Sequence, residues 1–272
     1  MDLYISMLGA PEVRWQAKPL LIPRRQTRAL LYYLAAHLQP LPRQHLCFIF
    51  WPDMAEVAAR RNFSRLLNHL RRTLPDPNIL IATDERVLLD PQRVWSDTVI
   101  LNRLWTAYMQ AAPPRHDAAQ DLRQTTTLYR GPFLDGFSLP EHAEFELWLT
   151  AESERWQRLY LNILVALTDE ATSAGDYASA IIHAQHYLAI DNLCEDIHRR
   201  LITLYGAVED RRAAQQQYER CVTILERELG VDPLPETQMT YRAVLEGRGW
   251  EGTSPEPRPV WETLPGLNAP LV

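Results

Sequence analysis

One basic amphipathic stretch, residues 59–74, constrains the fold of this chain more than any other segment. At helical spacing its apolar residues form a single stripe, made of Ala59, Phe63, Leu66, Leu67, Leu70 and Leu74. The opposite face carries Arg61, Arg65, Asn68 and Arg72, with Asn62 and His69 beside them. No acidic residue occurs between Glu56 and Asp76, whereas ordinary exposed helices mix both signs of charge. The stretch predicts a helix that packs on a core and presents guanidinium and amide groups outward.

This outward face has the chemistry of a DNA recognition helix. Arginine binds guanine edges and phosphates, and asparagine suits adenine. The alternative is a solvated surface helix, because a run of charged residues is often only an exposed face. The lack of acidic residues along the stretch favours the recognition helix.

The charge of the chain is distributed unevenly. Residues 1–95 contain 13 basic and 8 acidic residues, a net charge of +5. Residues 96–272 contain 15 basic and 26 acidic residues, a net charge of −11. The front part can therefore meet a polyanion that would repel the rear part, which indicates separate roles for the two parts.

Composition and motifs disfavour several other classes of protein. The three scattered cysteines form neither a disulfide framework nor a metal-binding spacing. No apolar run approaches the ~20 residues that cross a bilayer, and the first six residues do not resemble a signal peptide. Walker-type phosphate loops, H-E-x-x-H and G-x-S-x-G motifs are missing from the sequence. We therefore expect a cytoplasmic protein that is not an enzyme, with no catalytic residues, no cofactor, no metal and no membrane partner.

The order of predicted elements over residues 1–95 is that of a winged helix-turn-helix domain. Short strands are predicted near residues 3–7 and 13–15, with residues 20–22 as a candidate third strand. Helices are predicted over 24–38, 43–50 and the basic stretch, followed by a β-hairpin of 79–81 and 87–89. The first domain is therefore predicted to be an α+β winged helix-turn-helix domain.

The chain from Glu144 onward is predicted to be helical and to repeat every 34 residues. The repeat aligns Leu167 with Leu201, Asp176 with Asp210, and Ala180 with Ala214. This period is typical of tetratricopeptide helix pairs, so residues 96–246 are predicted to form an all-α tetratricopeptide-like domain. The Pro-rich residues 247–272 are predicted to be a linker or a disordered tail.

Several motifs, in order, carry a resemblance to a known family. They are Phe50-Trp51-Pro52-Asp53, Leu70-Arg71-Arg72-Thr73-Leu74, Val94-Trp95-Ser96-Asp97, the run from Leu128 to Phe137, Phe145-Glu146-Leu147-Trp148-Leu149, and the run from Glu226 to Pro233. Any one of them is weak, but together they are specific. The chain resembles the bacterial SARP-type transcriptional activators, in which an OmpR/PhoB-type winged helix precedes a bacterial transcriptional activator domain (BTAD).

The resemblance implies DNA binding through the third helix and the wing. The residues on positions where such helices meet bases or phosphates are Arg61, Asn62, Arg65, Asn68, Arg71 and Arg72. His69 departs from the family pattern, which has an arginine there, and a neutral imidazole would weaken phosphate attraction. The resemblance also implies that the helical domain mediates self-association or contacts RNA polymerase or its sigma subunit.

Three arginines outside the basic helix are further candidates for DNA contact. Arg24 lies near the start of the first helix, where backbone N–H groups also favour phosphate. Arg43 begins the second helix, and Arg86 lies in the hairpin turn, where a wing residue reaches a phosphate or the minor groove. For each, a purely solvent-exposed role is the alternative.

The C-terminal residues 264–272 resemble the segment that leads into a nucleotide-binding ATPase module in larger members of the family. This resemblance implies that the chain is the N-terminal part of such a regulator. The alternative is a naturally short regulator.

Taken together, these features predict a sequence-specific regulator of transcription, most simply an activator, that binds double-stranded DNA. Because one helix buries too little surface for tight specific binding, a homodimer or tandem occupancy of DNA is expected. The alternative is a protein-interaction module, in which the tetratricopeptide-like helices bind a partner and the winged helix is a docking domain. The two differ in salt dependence, since only phosphate contacts release condensed counterions.

Overall fold

The computed structural model describes residues 1–112 and 116–247. The described residues pack as two compact units, divided between Arg158 and Leu159. This division reflects packing alone and does not identify domains. The domains predicted from the sequence, 1–95, 96–246 and 247–272, therefore stay predictions. Apart from Gly247, the predicted tail, with its ATPase-like segment 264–272, lies outside the described residues.

A four-stranded sheet begins the first unit. It contains β1 (Leu3–Ser6), β2 (Glu12–Trp15), β3 (Lys18–Pro19) and β7 (Val94–Ser96), in the order β3-β2-β1-β7. Strand β1 runs antiparallel to β2 and parallel to β7. Its side chains alternate as expected for a strand with one buried face: Leu3 and Ile5 are fully buried, and Tyr4 and Ser6 are half-buried.

The candidate third strand at residues 20–22 is wrong, since the third strand is Lys18–Pro19. The physical reason is a two-residue turn at Gln16 and Ala17, both with positive φ, which reverses the chain directly after β2. Lys18 then pairs with Trp15, and the strand ends before Leu21, which is 83% exposed.

The winged helix is completed by three helices and a second sheet. The helices are α1 (Arg25–His37), α2 (Arg43–Phe50) and α3 (Glu56–Thr73), and the sheet contains β4 (Leu41–Pro42), β5 (Leu80–Ala82) and β6 (Arg86–Leu89) in the order β4-β6-β5. The predicted β-hairpin is confirmed as β5 and β6, while β4 was not predicted. All six residues of the predicted apolar stripe are buried, with exposed fractions of 7% or less. The predicted α+β winged helix-turn-helix fold is confirmed.

Buried hydrogen bonds connect the start of the first unit with the segments that follow the wing. Asp97, the first residue of α4 (Asp97–Gln110), is fully buried and accepts hydrogen bonds from the backbone N–H groups of Met7 at 2.7 Å and Leu8 at 2.8 Å. Further along, the N–H of Gly9 donates to the carbonyl of Pro132 at 3.0 Å. Gly9 has φ +117°, a backbone conformation that residues with a side chain rarely adopt.

Helical elements complete the first unit. They are α5 (His116–Arg123), α6 (Thr125–Leu128) and the first part of α7 (Ala143–Ser173). An aromatic cluster packs around the beginning of α7. The centre of the Trp148 ring lies 4.5 Å from the centre of the Tyr33 ring and 5.1 Å from that of the Phe145 ring. Trp148 therefore packs in the protein rather than presenting a free stacking surface.

The second unit consists of helices that follow the predicted repeat. They are the part of α7 from Leu159 onward, α8 (Tyr177–Ile190), α9 (Glu195–Ala207), α10 (Arg211–Leu229) and α11 (Pro235–Leu245). Asp176 and Asp210, one period apart, cap α8 and α10 by accepting a backbone hydrogen bond at 3.1 and 2.9 Å. Ala180 and Ala214 are both fully buried. The predicted tetratricopeptide-like all-α fold is confirmed.

No helix within residues 1–112 and 116–247 combines the length and apolar character that would cross a membrane.

Candidate nucleic-acid interface

Helices α2 and α3 form the helix-turn-helix, and α3 carries most of the candidate residues. Its apolar stripe anchors it on the core, as shown by Phe63 and Leu70, which are fully buried. The helix ends at Thr73, because Leu74 is extended and precedes a proline, which disfavours helical geometry. Arg71 and Arg72 lie in the last turn, where positive charge suits the helix dipole.

Four of the predicted site residues on α3 are exposed: Arg61, Arg65, Asn68 and Arg72. Within residues 1–112 and 116–247, none of the three guanidinium groups is paired with a carboxylate. The neighbouring Arg60 differs, since it forms a salt bridge with Glu56 at 2.8 Å one turn earlier. The exposed arginines are therefore available for an anionic ligand.

Two predicted residues of α3 are half-buried and bond within the protein. The side chain of Asn62 donates to the sulfur of Met54 in the α2–α3 loop at 3.3 Å. The guanidinium of Arg71 donates to the carbonyl of Leu80 at 3.5 Å, which points it toward β5. Both contacts help to position α3 against its neighbours.

His69 joins α3 to the first turns of α1. Its Nδ1 lies 3.1 Å from the hydroxyl of Thr27, which is fully buried. Partial burial lowers the pKa of His69, and the positive charges of Arg24 and Arg72 lower the pKa further. Arg24 is exposed at the N-cap of α1, so the structure brings it to the same positive surface as α3.

Arg43 lies between α3 and the wing and contacts both. Its guanidinium donates to the carbonyl of Thr83 at 2.9 Å and lies 5.5 Å from the centre of the Phe63 ring. Its backbone N–H donates to the carbonyl of Glu85 at 2.7 Å. Arg86, by contrast, is exposed at the start of β6. Arg43 therefore supports the wing, while Arg86 is the more accessible of the two.

A groove of about 450 Å³ separates α3 from the β5–β6 turn. Ser64, Asn68 and Arg71 line it from α3, and Thr83 and Asp84 line it from the turn. The groove can accept a strand of phosphodiester backbone on its hydroxyl, amide and guanidinium groups, although Asp84 would repel a phosphate placed directly beside it.

Two exposed side chains on the same face of α3 were missed by the sequence analysis. The helix begins at Glu56, one turn before the basic stretch, which places Val57 on the line of Arg61, Ser64 and Asn68. Val57 is 83% exposed, and Ser64 is also exposed. Helical spacing extended four residues upstream of Arg61 would have found Val57.

Comparisons with known proteins agree with this architecture. The family described as "Bacterial transcriptional activator domain" matches residues 99–245, more than half of the chain. The "Transcriptional regulatory protein MoaR1" of Mycobacterium bovis is 25% identical over 250 residues, which is 88% of this chain and 78% of that protein. The protein of the same name from Mycobacterium tuberculosis is 24% identical over 249 residues, with the same coverage of both chains.

A solved structure is similar in fold. "Mycobacterium tuberculosis EmbR in complex with low affinity phosphopeptide" superposes with a TM-score of 0.65 at 22% identity, and the match covers 90% of this chain. The chain spans 65% of the length of that solved chain. The predicted resemblance to SARP-type activators is confirmed, and the chain belongs to the bacterial transcriptional activator domain family of transcriptional regulators.

Proposed function

We propose that this regulator binds double-stranded DNA sequence-specifically, with α3 in the major groove and the β5–β6 turn on the adjacent backbone. The observation that carries the proposal is the division of α3 into a buried apolar stripe and an exposed face on which Arg61, Arg65 and Arg72 pair with no carboxylate of the described residues. In this arrangement Arg61 and Arg65 contact guanine edges or phosphates, and Asn68 suits adenine. Arg72, with Arg24 and Arg86, contacts phosphates.

The candidate residues that form hydrogen bonds within the protein have a supporting role in this proposal. Asn62 and Arg71 fix the orientation of α3, and Arg43 fixes the wing. His69 provides a titratable group between two cationic side chains. Sequence-specific binding requires side chains that can contact bases and neighbouring side chains that hold them in place, because a base contact depends on a defined side-chain position.

The relatives support regulation of transcription as the biological role. The name of MoaR1 describes that protein as a transcriptional regulator, and we extend that role to this chain. We place the protein in the cytoplasm with the chromosome, as a non-enzymatic regulator. Because a single recognition helix buries little surface, it binds as a homodimer or in tandem, and its helical region contacts RNA polymerase or the sigma subunit.

Selection of bound DNA from a random pool tests the proposal. The full chain is expected to recover a motif, with half-sites separated by about one helical turn (10–10.5 base pairs) or a multiple of it if two copies bind. A chain with both Arg61→Ala and Arg65→Ala is the matched variant, and it should lose the motif while keeping its fold. Recovery of unrelated sequences by the unaltered chain would contradict sequence-specific binding.

A groove in the second unit favours a second role, the binding of a partner segment. It encloses about 540 Å³, and Gln185, Tyr205, Gln217 and Arg220 line it. The buried His198 also lines the groove, and its Nδ1 lies 2.6 Å from the amide nitrogen of Gln217. Amide groups and one arginine suit an extended protein segment, and such binding would persist in salt concentrations that release DNA.

A further inference from the structure

The most exposed apolar side chain on the DNA-facing side of α3 is Val57. It lies in the first turn of α3 and is 83% exposed. Positions 57, 61, 64 and 68 follow one another along a single line of the helix, and all four are exposed. Val57 is therefore an apolar group placed at one end of a row of hydrogen-bonding side chains.

The fold itself gives no reason for a valine at this position. The buried contacts of α3 are made by the opposite stripe, which includes Phe63 and Leu67. Valine is also a weaker helix former than alanine, since its branched side chain loses rotamer freedom in a helix. An exposed valine in the first turn thus contributes little to packing or to helix stability.

The major groove contains one kind of apolar group, the C5-methyl of thymine. Guanine, adenine and cytosine present donors or acceptors there, and an aliphatic side chain would displace water from these groups without replacing the hydrogen bonds. The N-terminal residues of a recognition helix are those that contact base edges. In the proposed complex, the position of Val57 near the N-terminus of α3 favours contact with base edges. Its apolar side chain favours thymine among the four bases.

We infer that Val57 determines specificity for a thymine in the DNA site, through contact between its methyl groups and the C5-methyl of that base. This inference rests on the proposed DNA-binding function. Val57 and Arg61 are four residues apart, about 6 Å along the helix axis. Because base pairs are spaced by about 3.4 Å, the thymine lies within about two base pairs of the base or phosphate bound by Arg61.

The test compares thymine with uracil, which differs only by the missing methyl group. A selected binding site is synthesised with each thymine replaced in turn by deoxyuridine, and the dissociation constant of the full chain is measured for every duplex. One position near the Arg61 contact is expected to weaken binding by about four- to tenfold. The variant Val57→Ala lacks the two γ-methyl groups that reach furthest from the helix, so at that position most of the difference in affinity between the thymine and deoxyuridine duplexes should disappear.

Two matched variants sharpen the result. Val57→Thr keeps one methyl group and should keep part of the thymine preference. Val231→Ala changes another exposed valine, which follows α10 in the second unit, and should keep the full uracil effect. Both changes concern exposed side chains, so loss of folding is not expected.

Different failures have different meanings. If the unaltered chain binds a defined motif but Val57→Ala shows the same uracil effects as the unaltered chain, the inference about Val57 is overturned while the proposed function stands. If Val57→Ala weakens binding equally on every sequence, Val57 only shapes the helix terminus, and the inference is again overturned. If no motif is recovered, the proposed function fails and the inference fails with it.

Discussion

Arginines of similar sequence context have different structural roles on this protein. Arg60 is neutralised by Glu56, whereas Arg61, the next residue, is exposed on a different face of the same helix. Arg43 contacts the Phe63 ring and the wing backbone, so its removal would affect the fold as well as any ligand. Mutation of the exposed arginines is therefore the cleaner probe of DNA binding.

Arg65→Ala tests base recognition by α3. If Arg65 contacts a guanine, the variant should lose about 1–3 kcal/mol of binding free energy and relax the preference at one position. Quantitative binding to duplexes that carry each base at that position measures the effect. Arg227→Ala, which removes an exposed arginine of α10, serves as the control. Equal weakening on every duplex would assign Arg65 to phosphate contact, and unchanged binding would contradict the role of α3.

His69 should make DNA binding depend on pH. In the free protein, burial and the charges of Arg24 and Arg72 lower its pKa, so the imidazole is neutral near pH 7. A nearby phosphate favours the imidazolium and raises the pKa in the complex, so binding takes up a proton and affinity rises as the pH falls. Each unit of pKa difference between complex and free protein is worth up to about tenfold in affinity.

Binding measured between about pH 7.5 and pH 5.5, the range in which histidine titrates, checks this prediction. His69→Gln keeps a hydrogen-bonding group for Thr27 but does not titrate, so the dependence should flatten. His186→Gln, at an exposed histidine of α8, is the control and should behave like the unaltered chain. A pH profile that His69→Gln leaves unchanged would exclude proton uptake at this residue.

Among the elements, the strands and helices that follow the wing hold the first unit together. Strand β7 pairs with β1, and Asp97 at the start of α4 binds two backbone N–H groups of the segment after β1. A third bond, from the N–H of Thr98 at 2.8 Å, completes the set around the carboxylate. Each of these groups would otherwise be a buried, unsatisfied polar group.

Asp97 should give stability a defined pH dependence. Burial raises the pKa of its carboxyl to about 6, although the three hydrogen bonds from backbone N–H groups oppose this increase. The folded protein therefore holds the proton at pH values where the unfolded chain has released it. Stability from this group is fully present below the unfolded pKa of about 4 and is lost as the pH rises through about 6, a total of about 3 kcal/mol.

Denaturant unfolding at several pH values, with Asp97→Asn beside the unaltered chain, measures this contribution. The difference between the two unfolding free energies should change by about 2 kcal/mol between pH 4 and pH 6.5, because asparagine does not titrate and the rest of the total is lost below pH 4. The comparison cancels the other carboxyl groups, which titrate in both chains. Parallel curves across this range would contradict the shifted pKa.

For the whole molecule, the main physical property is the uneven charge. The net charge of +5 over residues 1–95 coincides with the winged helix, and the net charge of −11 belongs to the rest of the chain. We expect the acidic helical region to limit nonspecific binding of the protein to DNA, while the exposed arginines of α3 attract phosphate. Affinity for DNA is therefore expected to depend strongly on salt.

Salt titration measures how many phosphates the protein contacts. The logarithm of the binding constant should fall linearly with the logarithm of salt concentration, by about 0.9 for each phosphate neutralised. Arg72→Ala should reduce the slope by about 0.9 if Arg72 binds one phosphate, and Arg227→Ala should not change it. Affinity for DNA that is insensitive to salt would contradict the electrostatic interface and favour the interaction-module alternative.

The sequence by itself determined the three helices of the winged helix-turn-helix, the buried stripe of α3, the β5–β6 hairpin and the 34-residue repeat of the helical region. These features depend on local periodicity and turn chemistry, which nearby residues fix. Only the tertiary structure decided that Arg43 contacts the wing and that Asp97 is buried against the segment after β1. Those outcomes depend on contacts between residues far apart in the chain, and periodicity carries no information about such partners.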